Sequence, residues 1–244
     1  PEGPVARARP RPALIGMAPD LDPEVIAALE AAAATSRPRA SLAPVLAEIL
    51  SNGRAKAAQR LVQGAGGVEV ARLYAKAADR MVQALWWVTT DHLFPAPNPT
   101  DAERLALLAV GGYGRGVLAP HSDLDLMFLR PWKSASRTEQ VTEFVLYVLW
   151  DLGLKIGSTS RSMDEALSVG KSDMTVRTAL LEARPLAGDA DLAETFLTRF
   201  RQQVEKADAR PFIAAKLAER EARHQKVGAV RYRVEPNVKD GKGG

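Results

Sequence analysis

The sequence contains no cysteine and only three histidines among its 244 residues. The absence of cysteine excludes disulfides and cysteine-based zinc sites, and it fits a cytoplasmic protein. The histidines are too widely spaced to indicate an imidazole metal cluster: His92, His121 and His224. Basic residues neither form one stripe nor alternate with aromatic residues, so we expect no nucleic-acid partner.

Long apolar runs are also missing. The best candidate for a membrane helix, residues 145–150, falls far short of the roughly 18 apolar residues that a span requires. The basic first residues are followed by no apolar segment of the kind that a secretion signal contains. We therefore expect a cytoplasmic protein that has no membrane partner. A net charge of +4 suits an anionic ligand.

Proline, glycine and hydrophobic periodicity predict two segments ahead of the central region. Residues 1–40 are rich in proline, arginine and alanine, and we expect much of this segment to be mobile. Residues 41–100 form a predicted helical lead-in, interrupted at the turn signal Asn52-Gly53. Apolar spacing of three and four residues predicts helices over 23–34, 41–50, 55–63 and 68–93.

The central region, residues 101–190, combines strand and helix patterns, and the fold class is α/β. Strands are predicted over 105–110, up to residue 129, and over 154–160. A helix opened by a capping box at Ser136 and Glu139 ends at Gly153, and a further helix runs from residue 173 to 181. Residues 191–244 are a predicted helical appendage, so the expected fold is a small mixed β-sheet core flanked by N- and C-terminal helices.

The most informative stretch is residues 109–129, AVGGYGRGVLAPHSDLDLMFL. Alternation from Leu124 to Met127 predicts a strand, on which residues two apart point to one face. Asp123 and Asp125 therefore share a face. Two like charges on an otherwise apolar strand are costly unless a cation neutralises them, so this pair predicts a magnesium site completed by a polyanion. The alternative is a solvated strand face, which the apolar neighbours disfavour.

The glycines ahead of this strand indicate where the polyanion lies. Gly111 and Gly112 have no Cβ, so their backbone N–H groups can approach an anion closely, although a tight turn between strands requires the same residues. Arg115 adds a fixed positive charge within reach of a phosphate. We expect these three residues, together with Ser122, to bind a nucleotide.

This pattern of a glycine pair followed by an aspartate pair resembles the DNA polymerase β-like nucleotidyltransferase superfamily. More specifically, GGYGRG, SDLDL and the closing EPNVKDGKGG resemble the bacterial PII uridylyltransferase, a bifunctional uridylyltransferase/uridylyl-removing enzyme. The resemblance implies Mg²⁺-dependent transfer of UMP from UTP to a tyrosine hydroxyl of the trimeric nitrogen-regulatory protein PII, with release of pyrophosphate. It also implies a two-metal mechanism in which Asp123 and Asp125 hold the metals.

The superfamily pattern further implies a third carboxylate. The strand predicted over 154–160 contains none, which leaves Glu182 within LLEAR or Asp151 at the end of a helix. We favour Glu182 as a catalytic and metal-binding residue, since LLEARPLAGD itself resembles a family segment. The helical spacing around Leu180 counts against a position on a strand.

Other functions share parts of this pattern. The alternatives are an adenylyltransferase acting on PII or glutamine synthetase, a small-molecule nucleotidyltransferase, and a catalytically silent nucleotide-binding module. A dinucleotide motif at residues 114–119 is rejected because Pro120 stands where a helix should begin. A P-loop ending at residues 170–172 is rejected because Glu165 occupies the position of its first glycine.

The family implied by the resemblance continues beyond GKGG into a metal-dependent HD domain and two glutamine-sensing ACT domains. We therefore expect the 244-residue chain alone to show no uridylyl-removing activity and no response to glutamine.

Overall fold

The computed structural model describes residues 14–15, 20–97, 100–207 and 209–226, and it shows a mixed α/β fold. The predicted fold class is confirmed. Within these ranges no helix is long and apolar enough to cross a membrane. The strands are β1 (Leu14–Ile15), β2 (Ala106–Ala109), β3 (Leu124–Arg130), β4 (Ile156–Ser162) and β5 (Arg184–Asp189). The helices are α1 (Pro23–Ala33), α2 (Pro38–Val62), α3 (Gly67–Trp87), α4 (Gly111–Gly114), α5 (Ser136–Asp151), α6 (Met163–Ser172), α7 (Met174–Leu181), α8 (Ala190–Glu205) and α9 (Ala209–Lys226).

The strands form one mixed sheet in the order β1-β5-β2-β3-β4. Strand β3 pairs antiparallel with β2 and parallel with β4, and β5 pairs antiparallel with both β1 and β2. The parallel pairing follows from α5, because a crossover helix between β3 and β4 returns the chain to the same end of the sheet. This crossover places β4 directly beside the strand that carries Asp125.

Helices α1, α2, α3 and α5 cover one face of the sheet. Their buried apolar residues form a single cluster with the alternate residues Leu124, Leu126 and Phe128 of β3. Leu29 of α1 is fully buried in this cluster, so the predicted mobile segment 1–40 contains an ordered helix that belongs to the core. Because side chains alternate along a strand, Asp125 points to the opposite face.

The predicted break between two short helices at Asn52-Gly53 is wrong. Helix α2 runs without interruption from Pro38 to Val62. Gly53 lies where α2 packs on α3, and a Cβ at this position would come within 2.5 Å of the Ala77 Cβ. The glycine therefore permits close helix packing, and it forms no turn. The predicted helix over 68–93 is present as α3 followed by a π-helical turn, Val88–Leu93.

Three features of the second half differ from prediction. Helix α5 begins at Ser136 as predicted, but its cap is the Thr138 hydroxyl, which accepts a 3.0 Å hydrogen bond from the Ala135 N–H. Helix α6 and strand β5 were not predicted. A proline shortly after a helical run, such as Pro185 after the helix predicted to end at residue 181, is typical of a helix end, but Pro185 lies inside β5, opposite Leu108 of β2. A β-bulge between Leu107 and Leu108 accompanies this position, which suits a proline.

The chain divides into two compact units, residues 1–199 and 200–244. The first contains the whole sheet and helices α1 to α7. The described part of the second contains the end of α8 and helix α9. The predicted appendage is helical where it is described, and residues 227–244 lie outside the described ranges.

Candidate active site

Asp123 and Asp125 lie at the start of β3, one immediately before the strand and the other within it. Both are half-buried, while Leu124 between them is buried against the helical core. Strand alternation places the Asp125 carboxylate on the face away from the helices. That Asp123, just ahead of the strand, shares this face stays a prediction.

The glycine turn lies beside this pair. The Val110 N–H donates a 3.0 Å hydrogen bond to the carbonyl of Asp125, and α4 begins at the next residue. Gly111 has a φ of +56°, which favours glycine. The Gly114 N–H closes the turn on the Val110 carbonyl, so the amides of the residues between them lie ahead of the first helical hydrogen bond. The predicted anion-binding turn thus adjoins the predicted metal-binding strand.

The carboxylate of Asp125 lies between two glycines. A Cβ built on Gly111 would stand 3.0 Å from Asp125 Oδ2, and a Cβ built on Gly157 would stand even closer to Oδ1. Gly157 is directly opposite Asp125 in the parallel β3–β4 ladder. The lack of a Cβ at both positions lets the carboxylate lie close to the backbone of the α4 turn and of β4, and carboxylate oxygens suit a hard divalent cation.

Arg115 and Glu182 form an ion pair, with Nε 3.8 Å from Oε1. Glu182 follows the last residue of α7, so it does not lie on a strand. Both side chains are well exposed, at 59% and 41%, and such pairs contribute only about 0–1 kcal/mol. A phosphate can therefore replace Glu182 as the partner of Arg115 at little cost.

The sequence offers two candidates for a third metal-binding carboxylate, Glu182 and Asp151. Across the described ranges, no three acidic, histidine or cysteine side chains come together as a group able to hold a metal. Glu182 as a catalytic metal ligand therefore stays a prediction that this arrangement does not support. Asp151, the alternative, ends α5 and pairs with Arg39 at 2.7 Å. Because α5 covers the opposite face of the sheet from Asp125, the fold places Asp151 away from the glycine turn.

Comparison with known proteins tests the resemblance to the PII uridylyltransferases. The model of the GlnD PII-uridylyltransferase family matches residues 211–244. A bifunctional uridylyltransferase/uridylyl-removing enzyme of Phenylobacterium zucineum is 53% identical over 218 residues, which are 89% of this chain. A protein of the same name from Caulobacter vibrioides is 52% identical over the same length. The resemblance to the PII uridylyltransferase family is confirmed. The chain spans 23% of the length of each of these two relatives.

EPNVKDGKGG, the motif that narrowed the resemblance to the PII uridylyltransferases, occupies residues 235–244. These residues fall within the segment that the family model matches, and they lie outside the described ranges. The structure therefore describes the region of the predicted nucleotidyltransferase site, whereas the support for the family resemblance comes from the comparisons.

Arg184 contacts the backbone of the glycine turn through its guanidinium. Its guanidinium donates to the Gly114 carbonyl at 3.1 Å, to the Tyr113 carbonyl at 3.4 Å and to the Asp79 carboxylate of α3 at 2.7 Å. It also lies over the Tyr113 ring, 5.3 Å from the centroid. A cation at the end of a helical turn satisfies carbonyls that lack partners. No feature of the sequence pattern predicted this role of Arg184.

Tyr113 itself is packed inside the protein and does not face the open side of the turn. Its side chain is fully buried, and its hydroxyl has no partner at hydrogen-bond distance among the described residues, although Asp79 and Arg184 lie near. Burial, reinforced by the negative charge of Asp79, raises the pKa of the phenol well above its usual value. Tyr113 therefore anchors the turn as a neutral aromatic side chain.

Ser122 lies in the loop between α4 and β3, half-buried beside Asp123, and its N–H donates to the Ala119 carbonyl at 3.2 Å. Its neighbour His121 is exposed and adopts a φ of +65°. This turn brings Ser122 next to the aspartate pair, which is compatible with the predicted contact to nucleotide. The contact itself stays a prediction.

Proposed function

We propose that this chain transfers UMP from UTP to a tyrosine hydroxyl of the nitrogen-regulatory protein PII and releases pyrophosphate. One observation carries the proposal: the Asp125 carboxylate lies against the Gly111 turn, which brings a candidate cation site and a candidate phosphate site into contact. The names of the relatives support the uridylyl group, and the matching family description supports PII as the acceptor.

Different residues of this chain would bind the cation and the phosphates. Asp123 and Asp125 are the residues that would hold Mg²⁺, since half-buried carboxylate oxygens on one face are the ligands this ion prefers. When bound, Mg²⁺ would neutralise phosphate charge and acidify the acceptor hydroxyl. The amides of Gly111 and Gly112 orient the triphosphate, and Arg115 exchanges Glu182 for a phosphate oxygen.

The reaction is a substitution at the α-phosphorus of UTP. The phenolic oxygen of the acceptor forms a bond to this phosphorus, and the bond from the α-phosphorus to the oxygen that bridges to the β-phosphate breaks. A carboxylate of the site accepts the phenolic proton. The backbone amides and Arg115 stabilise the charge that develops on pyrophosphate, so catalysis comes mainly from alignment and charge neutralisation.

The test is transfer of label from α-labelled UTP to purified PII in the presence of Mg²⁺. We expect Asp125→Asn to lower transfer at least about a hundredfold, because one carboxylate of the cation site is lost. Asp22→Asn is the matched control: its side chain is exposed at the start of α1 and makes no capping hydrogen bond. Full activity of Asp125→Asn would refute the assignment.

Two further assays separate this function from its alternatives. Labelled ATP should not replace labelled UTP, and PII whose acceptor tyrosine is replaced by phenylalanine should take up no label. Transfer from ATP, or to glutamine synthetase, would identify an adenylyltransferase. Binding of UTP without transfer to any acceptor would identify a silent nucleotide-binding module.

A further inference from the structure

Each oxygen of the Asp125 carboxylate faces a different glycine. Oδ2 faces Gly111 of the α4 turn, where a Cβ would be 3.0 Å away. Oδ1 faces Gly157 of β4, where a Cβ would lie closer than the 3.0 Å that real Cβ atoms keep and 3.5 Å from Asp125 Cγ. We call this arrangement, Asp125 between Gly111 and Gly157, the carboxylate slot.

We propose that Gly157 is a positioning residue for the reaction, since the absence of a side chain there permits the orientation in which Asp125 presents its carboxylate to the cation. This inference rests on the proposed function. Gly111 already belongs to the predicted phosphate-binding turn, whereas nothing in the sequence pattern assigned a role to Gly157.

The register of the sheet places position 157 directly beside the Asp125 side chain. Asp125 and Gly157 are direct partners in the parallel ladder, so their side-chain positions project from the same face of adjacent strands, which lie about 4.8 Å apart. An aspartate has only two side-chain torsions and settles in a few staggered rotamers. Any side chain at position 157 would therefore displace the carboxylate from its present rotamer.

A second glycine, Gly111, lies on the other side of the carboxylate. A Cβ at Gly111 would stand 3.0 Å from Oδ2, and the Val110 N–H beside this glycine donates a hydrogen bond to the Asp125 carbonyl, so the backbone of the α4 turn adjoins β3 at this point. The present orientation of the carboxylate therefore depends on the lack of a Cβ at position 157 and is tight at position 111. The consequence is a preorganised metal ligand, for which a shift of its supporting contacts weakens metal affinity about 10–100-fold.

The first test is direct Mn²⁺ binding to the 244-residue chain, measured by electron paramagnetic resonance without UTP or PII. We expect Gly157→Ala to weaken Mn²⁺ binding about tenfold or more. Gly67→Ala is the matched control, because a Cβ on that exposed glycine meets no atom within 4 Å. Equal affinity of Gly157→Ala and the unchanged chain would overturn the positioning role. Undiminished binding by Asp125→Asn would instead contradict the proposed function, so the two failures are distinguishable.

The second test is a thermal-unfolding cycle that needs no metal. Gly157→Ala should lower Tm by about 4–10 °C, in keeping with overpacking in a chain of this size. In the Asp125→Ala background the same substitution should cost less than half as much, because the obstructing carboxylate is gone. If Gly157→Ala fails to fold, Asp125→Ala should restore folding. Equal costs in both backgrounds, or no restoration, would overturn the inference.

Discussion

Arg184 at the start of β5 donates a 2.7 Å hydrogen bond to Asp79 on α3, a residue 105 positions earlier in the chain. The same guanidinium donates to the carbonyl of Gly114 at the end of the α4 turn. One side chain thereby connects a strand at one side of the sheet, a core helix and the turn beside Asp125. This connection explains how four residues of helix, too short to be stable alone, hold a defined position.

Replacing Arg184 by lysine should destabilise this junction. Lysine keeps the charge but lacks the planar fork that serves Asp79 and Gly114 at once. We expect Arg184→Lys to lower the free energy of unfolding by about 1–3 kcal/mol in urea titrations, since both partners are largely buried. Arg60→Lys, in an exposed pair with Glu69, is the control and should cost below about 0.5 kcal/mol. Equal costs for the two variants would contradict the role of Arg184.

The buried phenol of Tyr113 predicts a loss of stability at alkaline pH. Its pKa in the folded chain is raised, so the folded state keeps the proton where the unfolded state loses it. This contribution to the free energy of unfolding is fully present below about pH 10, which is the pKa of tyrosine in the unfolded chain. It is lost as the pH rises toward the higher pKa of the folded chain. Between pH 9 and 11, Tyr113→Phe should therefore lose less stability than the unchanged chain.

The measurement is urea unfolding of both chains at several pH values in this interval. Tyr147→Phe is the matched control, because this side chain on α5 is 47% exposed. Its stability should follow that of the unchanged chain. At neutral pH, Tyr113→Phe should cost little, since the hydroxyl it removes makes no hydrogen bond within the described residues. Identical alkaline losses in the two variants would show that Tyr113 is not the titrating group.

Glu182→Gln distinguishes a metal ligand from an ion-pair partner. Glu182 pairs with Arg115, and the described residues provide no three-ligand group, so we expect Mn²⁺ affinity to change less than about twofold. Release of Arg115 should leave the KM for UTP equal or lower. Arg115→Gln should raise that KM about fivefold or more, because one charge-assisted phosphate contact is lost. A tenfold loss of Mn²⁺ affinity in Glu182→Gln would establish Glu182 as the third ligand.

The sequence predicted the local features of this site and missed those created by pairing. Strand alternation suffices to predict that Asp123 and Asp125 share a face, and a glycine pair suffices to predict the turn. The contacts of Asp125 with Gly157 and of Arg184 with Asp79 depend on the register of β4 and on β5, whose Pro185 resembled a helix terminator. Hydrophobic periodicity carries no information on which distant residues become neighbours.

Gly53 is a further residue whose role depends on a distant neighbour, in this case within a helix. In an exposed helix, Gly→Ala stabilises by about 1 kcal/mol. In α2 the added methyl group would lie 2.5 Å from the Cβ of Ala77, which is itself buried. We expect Gly53→Ala to lower the free energy of unfolding by about 1–3 kcal/mol, because α2 and α3 must move apart.

A double variant tests this cause. Ala77→Gly should destabilise the unchanged chain, since it costs helix propensity and leaves a small void. In the Gly53→Ala background it also removes the overlap, so Gly53→Ala/Ala77→Gly should be more stable than the sum of the single effects by about 1 kcal/mol or more in urea unfolding. Gly67→Ala, which adds the same methyl group in open space, should not show this coupling with Ala77→Gly. Strict additivity in both pairs would mean that Gly53 is a tolerated helix defect and that close packing of α2 on α3 does not require it.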